Sequence, residues 1–213
     1  MTTVHESVCT CPVCGCQFQS YVMTSTNAFG SPDLDTRPPE MERSTMAYWL
    51  HECPDCGYVF ADEKKAEADR KWLDSDEYRS DDDLVFASGL ARRFYRSYKI
   101  AMHNRKTERA FFQLLHCVWQ CDDDNNNDTA RQIRIMTADL AGKLIQKKPG
   151  KAETMQLIRA DLLRRSGRFE QLLKEYENVT FASAPLDNIL AFQKQLAEKQ
   201  DDSCHLIREA VTK

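Results

Sequence analysis

The chain changes its hydrophobic rhythm once, near residue 60. Before that point, residues 17–23 and 47–52 are short stretches rich in aromatic and β-branched side chains beside turn-forming proline and glycine, which predicts strands. Between them, residues 27–42 carry Gly30, Pro32, Pro38 and Pro39 and read as a loop. From Ala61 onwards apolar residues recur at spacings of three and four, the period of an amphipathic helix. Residues 84–102 place Ala87, Leu90, Ala91, Phe94, Tyr95, Tyr98 and Ala101 on one side. Asp81 to Asp83 suit the start of that helix, because carboxylates satisfy its free amides. Further helices are expected at 107–120, closed by the polar run 122–128, at 129–146, stopped by Pro149 and Gly150, and at 152–165. After a turn at Ser166 and Gly167 comes a helix at 169–178, and Pro185, tolerated at a first helical position, opens another. The expected result is a set of paired antiparallel helices.

At 213 residues the chain allows two small domains, and 42% hydrophobic residues with seven Gly and seven Pro is the composition of a folded protein. Charge falls on the same divide as rhythm. Residues 1–83 hold 17 acidic and 7 basic side chains, residues 84–213 hold 16 and 22, so the two parts carry −10 and +6. The expected organisation is a small head at residues 1–61, a joining segment at 62–83 and a helical body at 84–213, mainly α overall. No stretch approaches the roughly 18 apolar residues of a membrane helix, and Met1 to Val8 lacks the basic cap and apolar block of a secretory signal. The expectation is a cytoplasmic protein without a membrane partner.

In such a reducing compartment, clustered cysteines point to metal rather than to disulfides. Six of the nine cysteines lie in the first 60 residues, and four of them form two copies of one pattern, Cys11-Pro-Val-Cys14-Gly15 and Cys53-Pro-Asp-Cys56-Gly57. A two-residue gap lets both thiolates face one ion, and the glycine supplies the positive φ such a turn needs. Two such turns complete a tetrahedron of sulfur, and zinc is its expected occupant, in a closed structural site. The head is then a small β zinc-ribbon-like unit. The interval from Cys14 to Cys53 exceeds the roughly 15 to 20 residues of a compact four-cysteine ribbon, so residues 27–42 are an insertion. Its segment Asp33-Leu-Asp35-Thr-Arg37 either recognises something or hydrogen-bonds the ribbon together, the second being favoured. Cys9 and Cys16 flank the first knuckle, as bystanders or as alternative ligands. Cys117 and Cys121, four apart on one helical face beside His116, read as small core residues.

Motifs for catalysis fail on inspection. His51-Glu52 begins H-E-x-x-H, but position 55 is Asp; Gly142-Lys143 lacks the rest of a phosphate-binding loop; no G-x-S-x-G occurs. A closed four-sulfur site also leaves no position for a catalytic water. The expectation is a protein that binds rather than an enzyme.

The paired C-P-x-C-G knuckles, the Asp33 to Asp35 segment and the helical tail together resemble a bacterial family of unknown function, in which a zinc-ribbon-like head precedes tetratricopeptide-like helices. Within the tail, Leu162-Leu-Arg-Arg-Ser-Gly167-Arg-Phe169-Glu-Gln-Leu172-Leu-Lys-Glu-Tyr176 resembles the middle of a tetratricopeptide repeat, with Leu172 where that repeat prefers alanine. The resemblance implies architecture and metal but no reaction. Stacked helical repeats form surfaces that bind other proteins, so an adaptor with a protein partner is the leading expectation. Nucleic acid is a second expected partner, through residues 84–109 with their seven Lys/Arg and one Glu. Arg92, Arg96 and Lys99, with Arg93 beside them, would form a phosphate-neutralising stripe on the face opposite Phe94, unless the acidic head docks there instead. Redox or metal sensing through Cys9 and Cys16 is a third.

Overall fold

The computed structural model describes residues 1–61, 63, 65–147 and 152–211 and is mostly helical after a small antiparallel β-hairpin head. It divides into two compact units, one formed by residues 1–29 and 40–129, the other by 30–39 and 130–213.

In the first unit, β1 (Thr3–Thr10) and β2 (Gln17–Ser25) pair antiparallel, with Cys9 opposite Phe18 and Thr10 opposite Gln17. β2 covers the expected 17–23 strand, and β1 is a strand outside the expected elements. It exists because β2 offers it a full ladder of backbone partners. Of the expected strand at 47–52, residues 47–48 end a 3-10 helix, Arg43–Tyr48, and only the two-residue β3 (His51–Glu52) is extended, paired with β4 (Val59–Phe60). Thr45 explains the tight turn: its amide and hydroxyl both donate to the Glu42 carbonyl, and its hydroxyl accepts from Trp49 Nε1 at 2.9 Å.

Two single-turn helices, α1 (Arg70–Leu73) and α2 (Asp76–Arg79), lead to α3 (Gly89–His103) and α4 (Thr107–Asp123). α3 begins later than its apolar period predicts. Asp82 and Asp83 take left-handed φ of 51° and 66°, which no helix tolerates, and Ser88 becomes the N-cap by accepting from the Ala91 amide. α4 runs past the expected 107–120. The three-residue connection between α3 and α4 brings α4 back along α3, and Phe94, Ile100, Phe111, Leu114, Leu115 and Val118 are buried there. Each such side chain contributes about 1.5–3 kcal/mol by leaving water. Cys117 and Cys121 belong to this core, and Cys117 donates to the Ala91 carbonyl at 3.1 Å.

α5 (Asn127–Lys147) begins in the first unit and continues into the second, which also holds α6 (Glu153–Arg165), α7 (Phe169–Glu175), α8 (Ala184–Glu198) and α9 (Ile207–Val211). Pro149 and Gly150, expected to stop α5, lie outside the described residues. α7 is shorter than its predicted 169–178, and Pro185 sits in the first turn of α8 as expected. The turn between α6 and α7 needs Gly167: its φ is +75°, and a Cβ there would lie 2.8 Å from Nη2 of Arg131, whose Nε donates to the Ser166 carbonyl.

The insertion segment 30–39 packs inside this second unit. Asp33 bridges Leu206, the Leu34 amide donates to the His205 carbonyl, and the Ile207 amide donates to the Pro32 carbonyl. Asp33, Leu34, Asp35 and Arg37 are all buried, with Asp35 3.7 Å from Arg165. The segment is thus a structural element of the helical unit. Burial raises the Asp35 carboxyl to about 6, helped by the neighbouring Asp161 charge and opposed by Arg165.

Candidate metal centre

The two knuckles are built by the same backbone bonds. In the first, the Cys11 amide donates to the Cys16 carbonyl and the Gly15 amide to the Cys11 carbonyl, both at 2.9 Å. In the second, the Cys53 amide donates to the Tyr58 carbonyl and the Gly57 amide to the Cys53 carbonyl, again at 2.9 Å. Gly15 and Gly57 have φ of 72° and 70°, a region that costs any residue with a Cβ. The repeated C-P-x-C-G spacing is therefore a repeated loop, and each loop closes one short hairpin, β1 to β2 and β3 to β4.

Together the loops bring the four sulfurs of Cys11, Cys14, Cys53 and Cys56 to within 4.8 Å of one another. Across the knuckles, Cys11 and Cys56 Sγ lie 3.6 Å apart and Cys14 and Cys53 Sγ 3.5 Å. A metal–sulfur bond of about 2.3 Å in a tetrahedron gives sulfur–sulfur edges of about 3.8 Å, so the four thiols can hold one ion. Cys11, Cys53 and Cys56 are buried and Cys14 is exposed. Burial pushes the Cys56 thiol well up; it acts the same way on Cys53, but there the amides of Cys56 and Asp55 and the thiols of Cys14 and Cys56 together outweigh it and bring the thiol down. Loading the site releases the protons the thiols hold.

The surroundings of the site were not legible in the spacing. Tyr78 of α2, buried, donates its hydroxyl to the Gly57 carbonyl at 2.6 Å and so fixes the second knuckle. Arg70 of α1 pairs with Asp55 between the two cysteines at 2.9 Å. His51 meets Ser20 across the two hairpins, Nδ1 to Oγ at 2.9 Å, and burial lowers its pKa. These partners are 15 to 31 residues away from the groups they hold, at no recurring interval. Cys9 is buried in β1 and Cys16 half-buried, at the position that Tyr58 takes in the second knuckle. Neither joins the four-sulfur group.

The basic residues of α3 have partners inside the first unit. Arg92 Nε pairs with Asp81 at 2.9 Å; Arg93 donates to the Leu50 carbonyl and lies 3.6 Å from Glu52. Arg96 reaches the Arg79 carbonyl and Asp81, over the ring of Tyr78. Lys99 is not on a solvated face at all: at 8% exposure it donates to the carbonyls of Glu77 and Ser80 and to Asp82. Its position on the helix is only one step from the apolar seam, and its long stem follows that seam to the carbonyls. The acidic residues that fail to start α3 are the ones that neutralise it.

His116 is enclosed by Trp49, Phe94 and Trp119, with ring centroids 5.0, 5.5 and 4.9 Å away, and this burial lowers its pKa to about 4. Among the described residues no helix is long and apolar enough to cross a membrane. No protein-family model, curated protein or solved structure matches the chain.

Proposed function

We propose that the protein is a zinc-stabilised scaffold that binds another protein through its helical part and carries out no catalysis itself. The four converging thiols are the observation that carries this reading. An all-sulfur set of four suits zinc and leaves no open position, so the ion's work is to tie two short hairpins together. Cys11, Cys14, Cys53 and Cys56 would be its ligands. The glycine turn between α6 and α7, with Tyr176 packed back on the Gln156 carbonyl at 2.9 Å, supports helix-pair construction of the kind used in tetratricopeptide-like binding surfaces. The arginines and the lysine of α3 add stability to the first unit in this reading.

The test has two stages. Tagged protein purified from its own cells, after nuclease treatment, should carry stoichiometric zinc by elemental analysis and retain a partner protein. That partner, purified separately, should then bind the full chain at a defined ratio. Stoichiometric nucleic acid retained without nuclease, and no protein that rebinds in purified form, would overturn the scaffold reading.

A further inference from the structure

The second unit holds a histidine between two carboxylates. Nδ1 of His205 lies 2.9 Å from Glu209 Oε2, and Nε2 lies 3.0 Å from Asp201 Oδ2 and 3.0 Å from Ser203 Oγ. The Ser203 hydroxyl is directed to Asp201 Oδ1 at 2.6 Å, and the Ser203 amide donates to the same oxygen, so the serine serves the carboxylate rather than acting as a nucleophile. Only the doubly protonated imidazolium can donate to both carboxylates at once. A neutral ring has a single N–H and must turn a lone pair towards one of them.

The backbone at this histidine is the seat of the insertion. The Leu34 amide donates to the His205 carbonyl, Asp33 bridges Leu206, the Ile207 amide donates to the Pro32 carbonyl, and the Arg208 amide donates to Ser31 Oγ. Glu209 also caps this turn by accepting from the Leu206 amide at 2.8 Å. The other charged groups around the loop come from several elements. Arg164 of α6, fully buried, donates to the Asp201 and Ser203 carbonyls and pairs with Asp161; Arg165, Asp33 and Asp35 lie about Cys204; Arg208 stands beside Glu209. α8 contributes the Phe192 ring, edge-on to the imidazole at 5.6 Å. Arginine does not lose its proton, and Asp201 and Glu209 are both held below the usual carboxylate range by their hydrogen bonds, to Ser203 first for Asp201 and to His205 first for Glu209.

We infer that His205 is a proton-operated latch: charged, it clamps Asp201 and Glu209 and holds the seat for residues 30–39; neutral, it releases one carboxylate and loosens that segment. The segment lies between the two knuckles in the chain, so the latch ties the placement of the insertion to pH.

Hydrogen–deuterium exchange on the full, metal-loaded chain tests this, with protection corrected for intrinsic exchange at about pH 5.5 and about pH 8. Protection at the Leu34 and Ile207 amides is expected to fall about tenfold at the higher pH, the size of one lost charge-assisted hydrogen bond at a partly exposed site, while the α3 amides hold theirs. His205→Gln, which cannot titrate, should show low protection at both pH values. Glu209→Gln keeps the cap on Leu206 and lets a neutral ring satisfy its remaining carboxylate, so its pH response should shrink several-fold. Equal wild-type protection at both pH values, or an undiminished fall in either variant, overturns the latch.

Discussion

Lys99 is the residue at which a solvated basic stripe and an internal tether make opposite predictions, and Lys99→Met separates them. Methionine keeps most of the apolar stem, so the packing of α3 is nearly preserved and what is lost is the ammonium. In the structure that ammonium holds the Ser80 carbonyl at 2.7 Å, the Asp82 carboxylate at 2.8 Å and the Glu77 carbonyl at 2.9 Å, and lies 5.3 Å from the centre of the Tyr95 ring. Hydrogen bonds to a charged group are worth about 1.5–3 kcal/mol each, but Asp82 is 53% exposed and rehydrates, so its share must be discounted. The two carbonyls and the cation–π contact leave a net loss of about 2–4 kcal/mol. Urea titration with the m-value monitored reads this as a lower midpoint at unchanged slope. The loss should persist in about 0.5 M salt, because a buried tether is little screened where a surface pair is. Lys71→Met, at an exposed position in α1, should change stability by less than about 0.5 kcal/mol. A cost for Lys99→Met below about 1 kcal/mol, or one abolished by salt, would refute the tether and return Lys99 to the solvent.

Three more outcomes follow from named contacts. Cys56→Ser should lose the metal by elemental analysis and unfold the two hairpins, seen as lost amide protection at the Gly57 and Val59 backbone, while most helical circular dichroism remains. His116, neutral in its aromatic enclosure with a pKa near 4 against 6.5, binds its proton more readily when unfolded. Its contribution is therefore complete above about pH 6.5 and lost as pH falls towards 4, in all about 3 kcal/mol, and His116→Phe should flatten that part of the stability–pH curve. Gly167→Ala forces a Cβ into left-handed backbone and against Arg131; a cost of about 1–3 kcal/mol in urea unfolding is expected, and a neutral result would mean that the turn relaxes freely.

The two cysteine knuckles were legible in the sequence because the geometry of each is local. Two residues between cysteines and a glycine after them dictate a loop, and the same letters twice dictate the same loop twice. The helices at 107–120, 129–146 and 152–165 were legible for a related reason: a period of 3.6 written into consecutive residues needs no distant information, and the observed elements match it to within a few residues. Where α3 starts was decided by Asp82 and Asp83 turning left-handed, and by Ser88 behind them, against a period that ran on through residue 84. The pairing of β1, β3 and β4 was less legible, since a strand's hydrogen bonds are all made to another segment.

Charge was the least legible property. A helical wheel places Lys99 and Arg96 on a basic face, but it carries no record of the carbonyls of residues 77–80 or of the aspartates that meet them. In the same way, the loop character of residues 27–42 was plain from its glycine and prolines, yet nothing along the chain tells that Asp33, Asp35 and Arg37 are buried beside residues 165 and 206. The sequence by itself determined what is written in neighbouring residues: the two knuckles and the helices. Only the tertiary structure decided which charges are spent inside the molecule and where the insertion is seated, because those energies depend on groups dozens of residues apart meeting out of water.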